Sequence, residues 1–204
     1  MAEKEIESDD LLYFLKASLF GSEYAEKVIS DNGKKELAIN RAYRDMNRTL
    51  ETREHQEIWE KRKGTVRDGL KGLIIEDIIN TINNQTSFDE WHGKLCGVVT
   101  SGNHYTFGQA QKWVNMTLKY LIVLDYKPVI KLIPFLHVPI DEIIVKRAKN
   151  KLGINIKLSD YIPWSKKLNY ETDGNYSIFQ KEIREKVKNS YPIQWEFKAW
   201  NSGG

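Results

Sequence analysis

Apolar residues recur at three- and four-residue intervals along most of this chain, the spacing of amphipathic helices. Prolines occur only at 128, 134, 139, 163 and 192, so nothing before residue 128 forbids nearly continuous helix. Ser8–Phe20 reads as a first helix, stopped at Gly21. Ser22 caps a second, which ends at the turn signal Asp31-Asn32-Gly33. Residues 34–63 form a long charged stretch with Leu37, Ile39, Tyr43, Met46 and Leu50 as its apolar stripe. The stripe fails over residues 51–57, where the helix leaves the core or breaks. Gly64 and Thr65 open the next helix, whose apolar face runs from Val66 to Ile82 and which ends at Asn83-Asn84. Ser87 and Glu90 have capping-box spacing and start a short helix through Trp91, His92, Leu95 and Cys96, followed by a loop over 97–105. Pro139 suits the first position of a further helix that Gly153 stops, and residues 176–188 make another. Residues 192–200 fit both periods, and helix is the preferred reading. The sum is an all-α fold, a single domain over residues 1–204 with about eight helices. In it, residues 34–63 and 65–83 form a charged hairpin against a C-terminal bundle.

The helix expected over 106–125 stands apart. A capping box, Thr106 to Gln109, opens it, and it is apolar almost all round. Yet Gln111, Asn115 and Lys119 fall at i, i+4 and i+8, a polar seam on one edge, with Lys112 and Tyr120 beside it. Buried amides and an ammonium need hydrogen-bond partners or a ligand. One reading is structural, with the seam satisfying neighbouring helix ends. The other is a pocket wall: amides suit a nucleobase or sugar edge, and lysine suits a phosphate. His104 and Tyr105, in the loop before the helix start, would then join the site, since backbone amides there favour anions.

Composition narrows the class. The 204 residues are 41% hydrophobic and 29% charged, a globular balance. No apolar run reaches the ~18 residues of a membrane span, and the acidic start MAEKEIESDD is no signal peptide. A single cysteine, Cys96, precludes an internal disulfide and fits a cytoplasmic location. The first 33 residues carry eight acids and three lysines, −5, which leaves +8 on the remainder of a chain whose net charge is +3. An acidic leader on a basic body permits a phosphate-bearing partner without requiring one. The closing residues 201–204 read as a flexible tail.

Candidate chemistry is incomplete everywhere. His92 and Cys96, at i and i+4, have zinc-ligand spacing, but no CxxC or HExxH accompanies them, so neither metal nor cofactor is expected. Asp89 and His92 stand at i and i+3 and can pair. His104 is the one histidine placed for acid–base work, in a Gly/Ser loop beside the seam, with no aspartate to orient it. His137 reads as part of the approach to the next helix. Glu196-Phe-Lys198 matches the E-x-K tail of metal-dependent nucleases, without the strand and second carboxylate those enzymes need. Arg41, Arg44 and Arg48 share a helix face that could meet phosphates, although Asp45, Glu51 and Glu54 are interleaved. Lys61, Arg62, Lys63 and Arg67 form a basic corner. The six tryptophans read as core anchors.

Residues 105–120, with Phe88-Asp-Glu-Trp-His92 before them and Trp195-Glu196 and Trp200 after them, resemble a loosely defined group of uncharacterised prokaryotic and phage proteins. The resemblance covers about the C-terminal half and implies a helical fold and no activity. The Lys-, Ile- and Asn-rich usage also suits an AT-rich bacterial or phage genome. The expectation is a non-enzymatic binding protein whose polar pocket takes a nucleotide, a nucleic acid or a protein partner. Two alternatives stand beside it. One is a phosphodiester hydrolase using His104 and Lys119, and the other is an assembly protein.

Overall fold

The structure, a computed structural model, describes residues 8–47, 56–102, 105–154 and 175–201. They contain eleven helices and no strand: α1 (Ser8–Phe20), α2 (Tyr24–Lys27), α3 (Asp31–Asn47), α4 (Gln56–Leu73), α5 (Glu76–Ile79), α6 (Gln85–Thr100), α7 (Phe107–Val123), α8 (Lys127–Ile130), α9 (Glu142–Leu152), α10 (Asn175–Lys186) and α11 (Pro192–Asn201). The all-α class is as expected, and 192–200 is helix. No helix among the described residues is long and apolar enough to cross a membrane.

The seam helix is α7, and its capping box is formed: Gln109 N–H donates to Thr106 Oγ1 at 3.2 Å and Thr106 N–H to Gln109 Oε1 at 3.0 Å. It packs along α3 and against α6 and α8. Fully buried Trp113 anchors that packing, its indole N–H donating to the Ile39 carbonyl at 3.0 Å. A large core gathers apolar side chains from α1 to α8. A smaller one joins Val138, Ile140, Ile144, Ala148, Ile154, Tyr176, Phe179 and Ile183, mainly on α9 and α10. Between the two cores runs an extended, buried stretch, residues 136–140.

Several boundaries differ from expectation, each for a local reason. Asp31-Asn32-Gly33 does not end α2 but opens α3, because the Ser30 hydroxyl accepts the Gly33 N–H at 3.0 Å. Gly33 is needed there: a Cβ would lie 2.0 Å from the Lys27 carbonyl oxygen, where α2 meets α3. Gly64 does not separate helices; α4 runs through it and stops at Leu73. The paired helices of the N-terminal half are therefore α3 and α4, with residues 48–55, where the stripe fails, outside the described residues. Asn84 caps α6 three residues earlier than the Ser87 reading, with Ser87 as the box partner, and α6 extends to Thr100. Pro139 lies in the extended stretch; α9 is capped by Asp141, which accepts the Ile144 N–H at 3.0 Å. Gly153, at φ +67°, stops α9 as expected.

Candidate functional site

The two edges of α7 do different things. Gln111 and Asn115 are buried, 0% and 1% exposed, and spend their amides on the protein. Gln111 Nε2 donates to the carbonyls of Gly108 at 2.9 Å and Ile140 at 2.8 Å, and its Oε1 accepts the Ile140 N–H at 3.0 Å. Gln180, from α10, does the same to Val138, accepting its N–H at 3.0 Å and donating to its carbonyl at 2.8 Å. An extended segment with no neighbouring strand must satisfy its backbone somehow. Here two glutamine side chains replace the missing strands.

Asn115 continues the network. Its Nδ2 donates one hydrogen to the Tyr176 hydroxyl at 2.9 Å and shares the other between Gln111 Oε1 at 3.2 Å and the Val138 carbonyl at 3.3 Å. Its Oδ1 faces His92 Nε2 at 2.9 Å, so that nitrogen carries the proton and Nδ1 is bare, with the Cys96 thiol 3.8 Å away. The Tyr176 proton then goes to His137 Nδ1 at 2.9 Å, and His137 Nε2 donates to Asp89 Oδ1 at 2.9 Å. The chain thus runs from half-exposed Asp89 through His137, Tyr176 and Asn115 to His92, with one consistent placement of every proton. Burial keeps both rings neutral; it lowers the His92 pKa to about 3 and also lowers that of His137. Burial opposes the Asp89 charge too, but hydrogen bonds from His137 and Gln85 outweigh it and hold its carboxyl below the usual range. Asp89 therefore pairs with His137, not His92, and His137 is a central member of this network. The zinc spacing of His92 and Cys96 is used for packing, and no group of three metal-ligating side chains occurs among the described residues.

The other edge of α7 faces a cleft of about 340 Å³, lined by Leu19, Arg41, Asp45, Lys112, Met116, Lys119, Tyr120, Asp141 and Trp200. Each cation is held by a carboxylate. Arg41 lies 3.2 Å from Asp45, which also accepts the Tyr120 hydroxyl proton. Lys112 lies 3.4 Å from Asp141. Lys119 makes bonds of 2.8 and 2.7 Å to the two oxygens of Glu196 and stands 4.9 Å over the Phe197 ring. Glu196 is 1% exposed; burial raises its pKa, with Lys119 pulling the other way. The E-x-K pair thus sits on a helix, with its glutamate serving Lys119. Trp200, read as a core anchor, is 46% exposed at the cleft.

Of the expected ligand-binding residues, the structure brings Lys112 and Lys119 together with Arg41, which belonged to the expected phosphate face. Arg44 on that face is exposed to solvent, and Arg48 lies outside the described residues, as does His104. Tyr105 is buried and stacks edge-on to Trp113 at 5.7 Å, near a different cleft. Asp45, Asp141, Glu196 and Trp200 were missed as site residues. Only Asp45 had a local signal, at i+4 from Arg41; Glu196 reaches Lys119 across 77 positions. No family model, curated protein or solved structure matches the chain. The fold and site define an all-α protein with a cation- and carboxylate-lined cleft beside a buried network of amides, histidines and a tyrosine.

Proposed function

We propose that this is a non-enzymatic binding protein that takes a mononucleotide in the Arg41–Lys112–Lys119 cleft. One observation carries the reading: three cations from two helices meet two carboxylates, Asp45 and Asp141, and an exposed indole around a single cavity, with Lys119 backed by the buried Glu196. The volume lies at the lower end of small-ligand sites, which run from roughly 300 to 1,000 Å³. A phosphate suits the ammonium and guanidinium groups, and the Lys112–Asp141 contact, at 3.4 Å, is the longest of the three for it to open. Asp45 and Asp141 can accept from base or ribose donors, and Trp200 and Met116 offer faces for a planar base. A simple anion would leave the carboxylates unanswered, whereas a nucleotide answers both signs.

The test is thermal shift of the full chain with nucleoside mono- and triphosphates at millimolar concentration, because a ligand of the native state raises the midpoint by mass action. The expected result is a rise that Lys112→Met and Trp200→Ala each remove. A flat response to every nucleotide, or a rise unaffected by both variants, overturns the reading.

A further inference from the structure

The charges around the cleft between α3 and α7 cancel. Among the described residues, Arg41, Lys112 and Lys119 stand against Asp45, Asp141 and Glu196, one carboxylate to each cation. A ligand that brings several negative charges therefore meets no excess of cations. Asp45 and Asp141, on the cleft wall, also repel it. A ligand with a single negative charge keeps the local sum within one unit of zero.

The hydrogen-bond inventory points the same way. Asp45 meets Arg41 Nη2 with one oxygen and accepts the Tyr120 hydroxyl proton with the other. Asp141 is divided likewise: Oδ1 caps α9 by accepting the Ile144 N–H, and Oδ2 faces Lys112. Lys119 donates to both oxygens of Glu196, which leaves one N–H of its ammonium. The Nε–H of Arg41 is buried and has no hydrogen-bond partner among the described residues. A buried donor left without an acceptor is costly, so a ligand oxygen that reaches it is bound favourably. Two donors on two cleft-lining cations match the two unshared oxygens and one charge of a phosphodiester. A terminal phosphoryl group carries about −1.5 to −2 and three oxygens. A triphosphate carries more of both.

Resting on the reading of this cleft as a mononucleotide site, we propose that its ligand is a cyclic mononucleotide. The phosphodiester sits on Arg41 and Lys119, and the base lies against Trp200, which is 46% exposed there. Closing the phosphate onto the ribose removes its second charge and shortens the ligand. Both suit a neutral cleft of about 340 Å³, near the lower end of small-ligand sites. Asp45 and Asp141 then face only uncharged donors, on the base and the free ribose hydroxyl. A linear dinucleotide offers the same phosphodiester, but it asks the same volume to take a second base and sugar.

The test is isothermal titration of the full chain with cyclic AMP, cyclic GMP and cyclic CMP, with the matching monophosphates and triphosphates, and with the linear dinucleoside monophosphates. Each is measured in EDTA and again with magnesium. The expected result is one cyclic nucleotide that binds at least about tenfold more tightly than its own monophosphate and triphosphate. Asp141→Asn removes one negative charge and keeps the cap of α9, because asparagine caps as well as aspartate. It should narrow the preference over the monophosphate about tenfold. Arg41→Lys keeps the charge and deletes the Nε–H, and it should weaken the cyclic nucleotide about tenfold. If Asp141→Asn fails to fold, Arg41→Lys decides. A monophosphate or triphosphate that equals the cyclic form in either buffer overturns the phosphodiester assignment and leaves the nucleotide reading standing. An unchanged preference in Asp141→Asn, or unchanged affinity in Arg41→Lys, does the same. Tighter binding of a linear dinucleotide overturns the cyclic form. No heat with any nucleotide overturns both this proposal and the reading beneath it.

Discussion

Replacing Gln180 by methionine isolates the device that joins the two cores. Methionine keeps the length and approximate volume of glutamine and removes both hydrogen-bonding atoms. Gln180 is fully buried, and its two bonds, 3.0 and 2.8 Å, are to the N–H and carbonyl of one residue, Val138. Both backbone groups lie inside the protein, so the variant orphans a donor and an acceptor together. The Val138 carbonyl keeps a longer bond from Asn115 at 3.3 Å, whereas the N–H has no second partner among the described residues. An orphaned buried group costs about 1–3 kcal/mol, so the pair costs about 2–4 kcal/mol. Against a typical total of 5–15 kcal/mol this is a large fraction.

Urea unfolding followed by tryptophan fluorescence measures it. The expected change is a lower midpoint at unchanged slope, which identifies a loss of stability and not of compactness. For a chain of this size the thermal midpoint should fall by roughly 5–15 °C. Gln111→Met should behave alike, because it strips the same pair of groups from Ile140. Lys181→Met, an exposed neighbour on α10, is the control and should stay within about 0.5 kcal/mol. If Gln180→Met costs less than about 1 kcal/mol, the extended segment has other means of satisfying its backbone and the clamp argument is wrong.

Acidification should destabilise the protein below neutrality. His92 and His137 are neutral when folded with lowered pKa values, so as pH falls below about 6.5 the unfolded chain binds protons that the folded chain refuses. Stability should drop by up to about 1.4 kcal/mol per pH unit for each ring, down toward pH 3 for His92. Urea midpoints that are flat from pH 7 to 4.5 would refute this. Lys119→Met should cost about 3–5 kcal/mol by stranding the buried Glu196 carboxylate, while Lys119→Met with Glu196→Met should recover most of the loss; equal losses in single and double variants would remove the pair from the account. Cys96 is fully buried and its thiol pKa is raised by burial, so Ellman's reagent should react only in step with unfolding. Gly33→Ala should destabilise by more than about 1 kcal/mol, because its methyl would collide with the Lys27 backbone; an unchanged midpoint would show that α2 shifts at no cost.

Helix type and rough placement were legible because they depend on periods within one element. Ser8–Phe20, the Thr106–Gln109 box and the Gly153 stop were all read from neighbouring residues. The misplaced boundaries fall where tertiary packing overrides a local signal. Gly33 is a turn residue by composition, but it is placed where only a glycine lets α2 approach α3. Pro139 suits a helix start by its fixed φ, but Gln111 and Gln180 hold its neighbours extended, which moves the cap to Asp141.

The polar seam shows the same limit at the level of the site. Spacing placed Gln111, Asn115 and Lys119 on one edge, yet spacing is blind to what stands opposite. Opposite Gln111 and Asn115 stand bare backbone groups and His92, which consume both amides and leave the ligand reading only to the neighbouring edge. Opposite Lys119 stands Glu196, on the last helix. A cleft formed by Lys112, Lys119 and Arg41 therefore emerges from two unrelated sequence features, a seam on α7 and an arginine face on α3, once α3 and α7 lie side by side. Their convergence separates the roles: the amides hold the two cores in register, and the cations, already oriented by carboxylates, are the groups the proposed nucleotide would meet. Gln111→Met should then lower stability without changing nucleotide affinity measured well below its melting range, and Lys112→Met should do the reverse. Coincident effects in the two assays would return the whole seam to a single role.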